Sequence, residues 1–187
     1  MTILPICITG EPVLHRKAEE VREITPEIKA LIDDMFETMD KAPGVGLAAP
    51  QIGVGQRIFV YDYEFEETRL RGVAINPELT LSKIEDSEPD PETESEGCLS
   101  VPTERFPLKR ASEVILKALD ENGNPYELTV NGWMARIFQH EFDHLEGILY
   151  VDRLIPPYRE EAKAVVKEYG WGVAGITWMP GEDDLEP

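Results

Sequence analysis

Two histidines four residues apart, with a glutamate directly after the first, form the segment of this chain best suited to chemistry. They are His140, Glu141 and His144, in the run QHEFDHLEGILY over residues 139–150. On an α-helix, positions i and i+4 differ by about 40° in direction and about 6 Å in rise, so both imidazoles can bind one metal ion. The glutamate then lies where its carboxylate can reach a water on that ion. The pattern is typical of metal-dependent hydrolases and predicts a metal site.

A catalytic site of this kind needs a third protein ligand. The extension H-E-x-x-H-x-x-G-x-x-H fails, because Tyr150 stands where its last histidine would be. Downstream glutamates offer a second set of candidates, but surface solvation explains them more simply: Glu160, Glu161 and Glu168. Upstream, Cys98 in EGCLSVP offers a thiolate, which is a soft and strong ligand. A single cysteine is more often a core residue, so the residues alone leave the third ligand open.

The segment GVGLAAPQ, residues 44–51, superficially fits the dinucleotide-binding pattern G-x-G-x-x-A from Gly44 onwards. Its context is wrong for that function, because it follows a predicted helix and runs into Pro50 instead of opening a helix. We interpret it as a glycine pair that lets the backbone approach a ligand closely, with Gln51 presenting a side-chain amide.

Composition limits the classes of function that remain. The 187 residues include 18 basic and 37 acidic ones, for a formal net charge of −19. This balance disfavours stable binding to nucleic acid or to an anionic membrane, since both need a basic patch. The chain shows no charged-then-apolar leader and no apolar run approaching about 18 residues. We therefore expect a cytoplasmic protein, in which Cys7 is a small core residue and forms no disulfide with Cys98.

Patterning along the chain predicts the elements that position these residues. Helices are predicted over 26–41, 132–146 and 157–170, and strands over 57–63, 71–76, 113–119 and 126–130. Strands mixed with three helices, without regular alternation, predict an α+β domain. We expect antiparallel sheets packed around a central metal-binding helix, with one helix near each end of the chain.

Two acidic stretches receive separate predictions. Residues 85–96, EDSEPDPETESE, contain seven acids and two prolines and are predicted to be a solvated loop. The domain organisation is predicted as a single catalytic metallohydrolase domain over 1–170, followed by an acidic C-terminal tail over 171–187.

Three segments read together resemble one family. GVGLAAPQ, EGCLS and QHEFDH occur in this order, and their combination closely resembles the peptide deformylases. Members of that family remove the formyl group from the initiator methionine of new bacterial and organellar chains. The order and spacing fit across roughly residues 10–155, and nothing at the motif positions departs from the pattern.

The resemblance implies a role for each motif residue. Glu141 would be the general acid/base, while the Gln51 side-chain amide and the Leu99 backbone N–H would stabilise the developing oxyanion. The metal ligands would be Cys98, His140 and His144. Family members work with ferrous iron, and nickel, cobalt or, more weakly, zinc can occupy the site. By chemistry alone, two imidazoles and a thiolate suggest zinc at least as readily.

The implied substrates are formyl-methionyl nascent polypeptides, met in transient proximity to the ribosome. Their methionine side chain needs an apolar pocket beside the metal. Our candidate substrate-binding residues are Val45, Gly46, Glu96, Gly97, Trp133 and Ile137. Plain core packing is the alternative for Trp133 and Ile137, and simple solvation is the alternative for Glu96 at the end of the acidic run.

Two other functions stay open at the level of sequence. One is a general zinc peptidase of the H-E-x-x-H type, which would cut internal peptide bonds. The other is a structural metal module completed by a fourth protein ligand such as Cys7. Structural sites are closed and usually richer in cysteine, and they have no use for Glu141.

Overall fold

A computed structural model describes residues 2–65, 68–183 and 185 of the chain. Within these residues the α-helices are α1 (Pro26–Lys41), α2 (Gly132–Leu145) and α3 (Tyr158–Glu168). The strands are β1 (Ile6–Cys7), β2 (Gly46–Ala48), β3 (Ile58–Phe65), β4 (Thr68–Leu81), β5 (Ser95–Cys98), β6 (Val101–Pro107), β7 (Glu113–Leu119), β8 (Pro125–Asn131) and β9 (Thr177–Trp178). Short 3-10 helices cover Pro12–His15, Ala49–Ile52 and Tyr150–Arg153.

The strands form antiparallel sheets, which confirms the predicted α+β class. The largest sheet has five strands in the order β2-β3-β4-β7-β8, and two further sheets pair β5 with β6 and β1 with β9. The predicted strand over 71–76 is the middle of the longer β4, which pairs with β3 in its first part and with β7 in its last part. Ile75 pairs with both neighbours, and the β4–β7 register shifts between Ile75 and Glu78.

The apolar run IFVY at the start of β3 reflects burial on both faces of the large sheet. Ile58 and Val60 face a core cluster that includes residues of α1 and β1. Phe59 and Tyr61 face the opposite way and pack with Phe138 of α2, whose ring centroid lies 4.9 Å from that of Tyr61. Because alternate side chains of a strand point to opposite faces, a strand covered on both sides must be apolar throughout.

The predicted acidic loop is solvated only in part. Residues 85–88 and 90–93 are exposed, in agreement with the prediction. The last residues of the run turn inward as β5 begins, and Glu96 is only 2% exposed. The solvation alternative for Glu96 is therefore wrong, because composition describes the run as a whole and does not show where its chain enters the core.

The segment set apart as a C-terminal tail is integrated with the domain over the residues that the structure describes. β9 pairs with β1 in the register Ile6↔Trp178 and Cys7↔Thr177. The indole of Trp178 is 2% exposed. Residues 184, 186 and 187 of the predicted tail, and Met1 at the other end, lie outside the described residues. Among the described helices, none combines the length and apolarity needed to cross a bilayer.

Two glycines end helices in the same way but meet different surroundings. Gly147 follows α2 with φ +73°, and Gly170 follows α3 with φ +70°. A Cβ atom on Gly147 would lie 2.7 Å from the backbone of Arg16, whereas one on Gly170 would meet nothing within 4 Å. A substitution at Gly170 therefore tests only the positive φ, whereas one at Gly147 tests the positive φ and the lack of space together.

We expect Gly170→Ala to lower the free energy of unfolding by about 1–2 kcal/mol, the cost of a left-handed alanine. We expect Gly147→Ala to cost about 1–3 kcal/mol more, because the methyl group also clashes with the Arg16 backbone. Urea unfolding of both variants measures the difference. Equal losses would contradict the close approach of the two segments.

Candidate active site

The three predicted metal ligands converge although they come from separate elements. His140 and His144 lie on α2, and Cys98 is the last residue of β5. One ligand atom from each lies within 4.8 Å of the other two, and Cys98 Sγ is 3.4 Å from His144 Nε2. Cys98 and His144 are buried, and the side chain of His140 is 11% exposed. Two imidazoles and a thiolate at this spacing fit a divalent transition-metal ion, with a further coordination position left for substrate or water.

Regular alternation along β5 directs Cys98 into this site, just before a tight turn. The β5–β6 hairpin turns through Leu99 and Ser100, with Cys98 paired to Val101. Its register shifts between Gly97 and Cys98. The extra residues, 102–104, lie on β6, so β5 keeps its regular alternation and Cys98 faces the same buried side as Glu96, towards α2.

Glu96 orients the first histidine ligand. Its Oε2 lies 3.0 Å from His140 Nδ1, so Nδ1 donates to the carboxylate and Nε2 faces the other two ligand atoms. The same carboxylate accepts two hydrogen bonds from Arg110, at 2.8 and 2.9 Å, and one from Arg136 at 2.7 Å. Burial alone would raise the pKa of the Glu96 carboxyl, but Arg110 and His140 hold it well below its usual range. Glu96 is thus a charged, fully partnered support of the site.

A second buried carboxylate extends this network along α2. Asp143 accepts a hydrogen bond from Arg110 at 2.6 Å and another from Arg153 at 2.6 Å. It lies between the two histidine ligands in sequence but is not part of the ligand group. Sequence reasoning missed Arg110, Arg136 and Asp143, because no spacing rule connects ion-pair partners that are far apart in the chain.

Glu141 faces the cavity beside the metal ligands. It is 4% exposed, and its Oε2 atom has no hydrogen-bond partner among the described residues. Burial raises the pKa of Glu141 to about 7; Glu96 adds to the rise, whereas His140 opposes it. A Cβ atom on Gly46 of β2 would lie 2.4 Å from Glu141 Oε1. Gly46 is therefore in close contact with Glu141, and the predicted approach of this backbone to a ligand stays a prediction.

The amide of Gln51 is held in one orientation. Its Oε1 accepts a hydrogen bond from Ala48 N at 2.8 Å, which leaves the NH₂ group pointing the other way. Gln51 Nε2 lies 3.9 Å from Cys98 Sγ and 3.4 Å from Ser100 Oγ. A donor is thus aimed at the same small space as the ligand atoms.

A cavity of about 390 Å³ opens onto this space. The predicted site residues on its wall are Val45, Gly46, Gln51, Glu96, Gly97, Cys98, Leu99, Trp133, Ile137, His140 and Glu141. His144 is buried and is not part of the wall. Trp133 is 41% exposed, so it is not a plain core residue. Ile137 is 5% exposed, so it packs in the core and also lines the cavity. Arg105, which sequence reasoning also missed, adds a positive charge to the wall.

The alternative ligands do not reach the site. Tyr150 is buried with its ring centroid 5.8 Å from that of His140, as a packing neighbour. The downstream glutamates lie on α3, where Glu160 forms an exposed ion pair with Lys163. Cys7 lies in β1 and is not in the ligand group found among the described residues.

Comparison with known proteins now identifies the family. The family model described as polypeptide deformylase matches residues 3–160. The chain belongs to the polypeptide deformylase family. The resemblance inferred from the three motifs is therefore confirmed.

Relatives in this family match over nearly the whole chain. The peptide deformylase of Mycolicibacterium paratuberculosis is 50% identical, over 97% of this chain and 96% of the relative. That of Tropheryma whipplei strain TW08/27 is 49% identical, over 96% and 94%. The solved peptide deformylase of Legionella pneumophila is 38% identical with a TM-score of 0.78, covering 90% of this chain and 95% of that chain. The Ehrlichia chaffeensis enzyme, solved in complex with actinonin, is 35% identical with a TM-score of 0.78, over 90% and 98%.

The two cysteines provide a matched test of the metal site. We expect the parent protein to bind one equivalent of Co²⁺ with a sulfur-to-metal charge-transfer band, because Cys98 lies in the ligand group. Cys98→Ser should abolish the band and weaken binding by more than the roughly 10–100-fold that loss of a supporting partner costs. Cys7→Ser, in β1, should keep both. A retained band in Cys98→Ser would show that this sulfur is not a ligand.

Proposed function

We propose that this protein hydrolyses the N-formyl group from the initiator formyl-methionine of newly made polypeptides, giving formate and a free amino terminus. The observation that carries the proposal is the convergence of Cys98, His140 and His144 with Glu141 in one cavity, in a chain of the polypeptide deformylase family. The substrates are nascent formyl-methionyl chains, met in the cytoplasm and transiently near the ribosome.

Cys98, His140 and His144 would hold one divalent cation, with Fe²⁺ as the native ion and Ni²⁺, Co²⁺ or Zn²⁺ as substitutes. The mixed nitrogen and sulfur donor set suits all four ions. The bound cation supplies Lewis-acid activation of a water molecule and of the formyl carbonyl. Glu96 supports this role, because its hydrogen bond to His140 Nδ1 keeps Nε2 directed at the cation.

Glu141 is the general acid/base. Its carboxylate takes a proton from the attacking water and later delivers that proton to the leaving amine nitrogen. Its burial and its Oε2 atom, which has no hydrogen-bond partner among the described residues, support this role. Gly46 keeps the carboxylate in place by leaving room for it.

Gln51 and Leu99 stabilise the oxygen that gains charge during attack. Gln51 Nε2 and the Leu99 backbone N–H donate to it, and each such donor typically contributes about 100-fold or more to the rate. The hydrogen bond from Ala48 N to Gln51 Oε1 supports this assignment, because it fixes the direction of the donor before substrate arrives.

The methionine side chain binds against the apolar part of the cavity. Val45, Gly46, Trp133 and Ile137 all line the cavity, and we assign the first two to one wall and the last two to the other. Gly97 and Glu96 line the cavity near the metal ligands. Glu96 limits the space without binding the substrate through its carboxylate, because that group is already hydrogen-bonded to Arg110, Arg136 and His140. Selectivity for a formyl group over larger acyl groups would follow from a cramped space around the metal.

We expect Glu141→Gln to lower kcat for formate release from a formyl-Met-Ala-Ser peptide by about 10²–10⁴-fold, because the amide cannot carry the proton. Metal content should be unchanged. Glu168→Gln, an exposed change on α3, is the matched control and should keep full activity.

The same experiment separates the alternatives. A structural metal module would show no formate release by the parent and no effect of Glu141→Gln. A zinc peptidase would yield peptides cut at internal bonds, which mass spectrometry of the products would detect.

Gly46→Ala tests the space reserved for Glu141. We expect kcat to fall by about 10²-fold, because a misplacement near 1 Å of a reacting group has this cost, and a methyl group at this position would meet Glu141 Oε1 at 2.4 Å. Gly44→Ala is the control, since its methyl group would meet the flexible end of Leu99 at 3.2 Å, the Gly46 carbonyl oxygen at 3.4 Å and Met39 at 3.6 Å, with nothing nearer. Equal activities of the two variants would count against a fixed carboxylate.

A further inference from the structure

The turn that follows Cys98 is held by both ends of the chain. The indole Nε1–H of Trp178 donates a buried hydrogen bond of 2.9 Å to the carbonyl oxygen of Leu99. The backbone N–H of Thr9 donates one of 2.8 Å to the carbonyl oxygen of Ser100. Leu99 and Ser100 are the two residues of the β5–β6 turn, so both turn carbonyls have partners outside the hairpin.

These two partners belong to one ribbon, residues 6–10 paired with residues 172–178. Beyond the β1–β9 pairs, Ile8 N donates to Ile176 O at 3.0 Å and Gly172 N donates to Thr9 O at 2.9 Å. A Cβ atom on Gly10 would lie 2.3 Å from the Gly172 backbone, so the two segments are in close contact there. The C-terminal half of the ribbon lies beyond residue 160, where the family match ends.

The orientation of the Leu99 carbonyl bears on catalysis because it constrains the backbone of the turn. The Leu99 carbonyl lies in the Leu99–Ser100 peptide plane, whereas the Leu99 N–H lies in the preceding Cys98–Leu99 plane, and the two planes meet at the Leu99 Cα atom. A rotation of the Leu99–Ser100 plane changes the torsion angles at Leu99 and so moves the Cys98–Leu99 plane as well. Hydrogen bonds to both carbonyls oppose such rotation. The Leu99 N–H is then held in one direction before substrate binds, which is the condition under which an oxyanion donor is effective.

We propose that Trp178 is a positioning residue of the active site, which anchors the Leu99–Ser100 peptide through its indole N–H and so keeps the adjoining Leu99 N–H aligned with the developing oxyanion. The proposal rests on the function proposed above. It assigns a catalytic task to the segment that composition alone marks as an acidic tail. Trp178 does not touch the substrate, and its effect is transmitted through the Leu99 carbonyl.

Trp178→Phe tests the proposal, because it keeps an aromatic ring and removes the N–H donor. We expect kcat for the formyl peptide to fall about tenfold, with KM within about twofold and metal content unchanged. Removal of an oxyanion donor typically lowers kcat by about 10²–10³-fold, and a donor that is only loosened should lose part of that factor. Hydrogen exchange at the Leu99 and Ser100 amides should become faster. Trp171→Phe is the matched control: Trp171 stacks on Tyr169 in the same segment, and its replacement should leave kcat and the two amides unchanged.

Several outcomes would overturn the proposal: parental kcat in Trp178→Phe, an equal loss in Trp171→Phe, or a loss explained by lower metal content. If Trp178→Phe does not fold, benzothienylalanine at position 178 removes only the N–H and gives the same readouts. If the parent releases no formate, the proposed function fails by itself. The amide exchange then still decides whether Trp178 holds the turn, and unchanged exchange would refute the anchoring.

Discussion

The site depends on one buried carboxylate, Glu96. Four nitrogen atoms from Arg110, Arg136 and His140 converge on its two oxygens, so β5, α2 and the segment between β6 and β7 meet at a single group. Removing one partner from such a buried pairing typically costs about 3–5 kcal/mol, because an uncompensated charge is left behind. The arrangement therefore holds together or fails as a unit, and it gives the first histidine ligand its orientation.

The helix that carries the histidines is held on two sides by different forces. Towards the large sheet, the ring of Phe138 packs at a tilt against Phe59 and edge-on against Tyr61. Towards the β5–β6 hairpin, Asp143 and His140 are bound through Arg110 and Glu96. A rotation of α2 would break both sets of contacts at once. The directions of the imidazoles thus follow from packing and ion pairing elsewhere on the same helix.

Local rules predicted the parts of this structure that depend on local spacing. The three helices, the strands β7 and β8, and the convergence of His140 with His144 follow from periodicity and from the H-E-x-x-H pattern. The burial of Glu96 could not be predicted, since its acidic neighbours suggest solvation and its partner Arg136 lies 40 residues away. Nor could β9, because two residues carry no strand periodicity and their pairing with β1 joins opposite ends of the chain.

The placement of Cys98 explains why distant segments are recruited to a short hairpin. A two-stranded hairpin is marginally stable by itself, yet a metal ligand must be held within a fraction of an ångström. The residue pair before Cys98 is anchored through Glu96 to two arginines, and the two residues after it are anchored through their carbonyls to Thr9 and Trp178. Cys98 therefore lies between an ionic anchor and a hydrogen-bonded one. Since the two anchors come from unrelated parts of the chain, neither local propensity nor motif spacing in the hairpin determines the precision of the site.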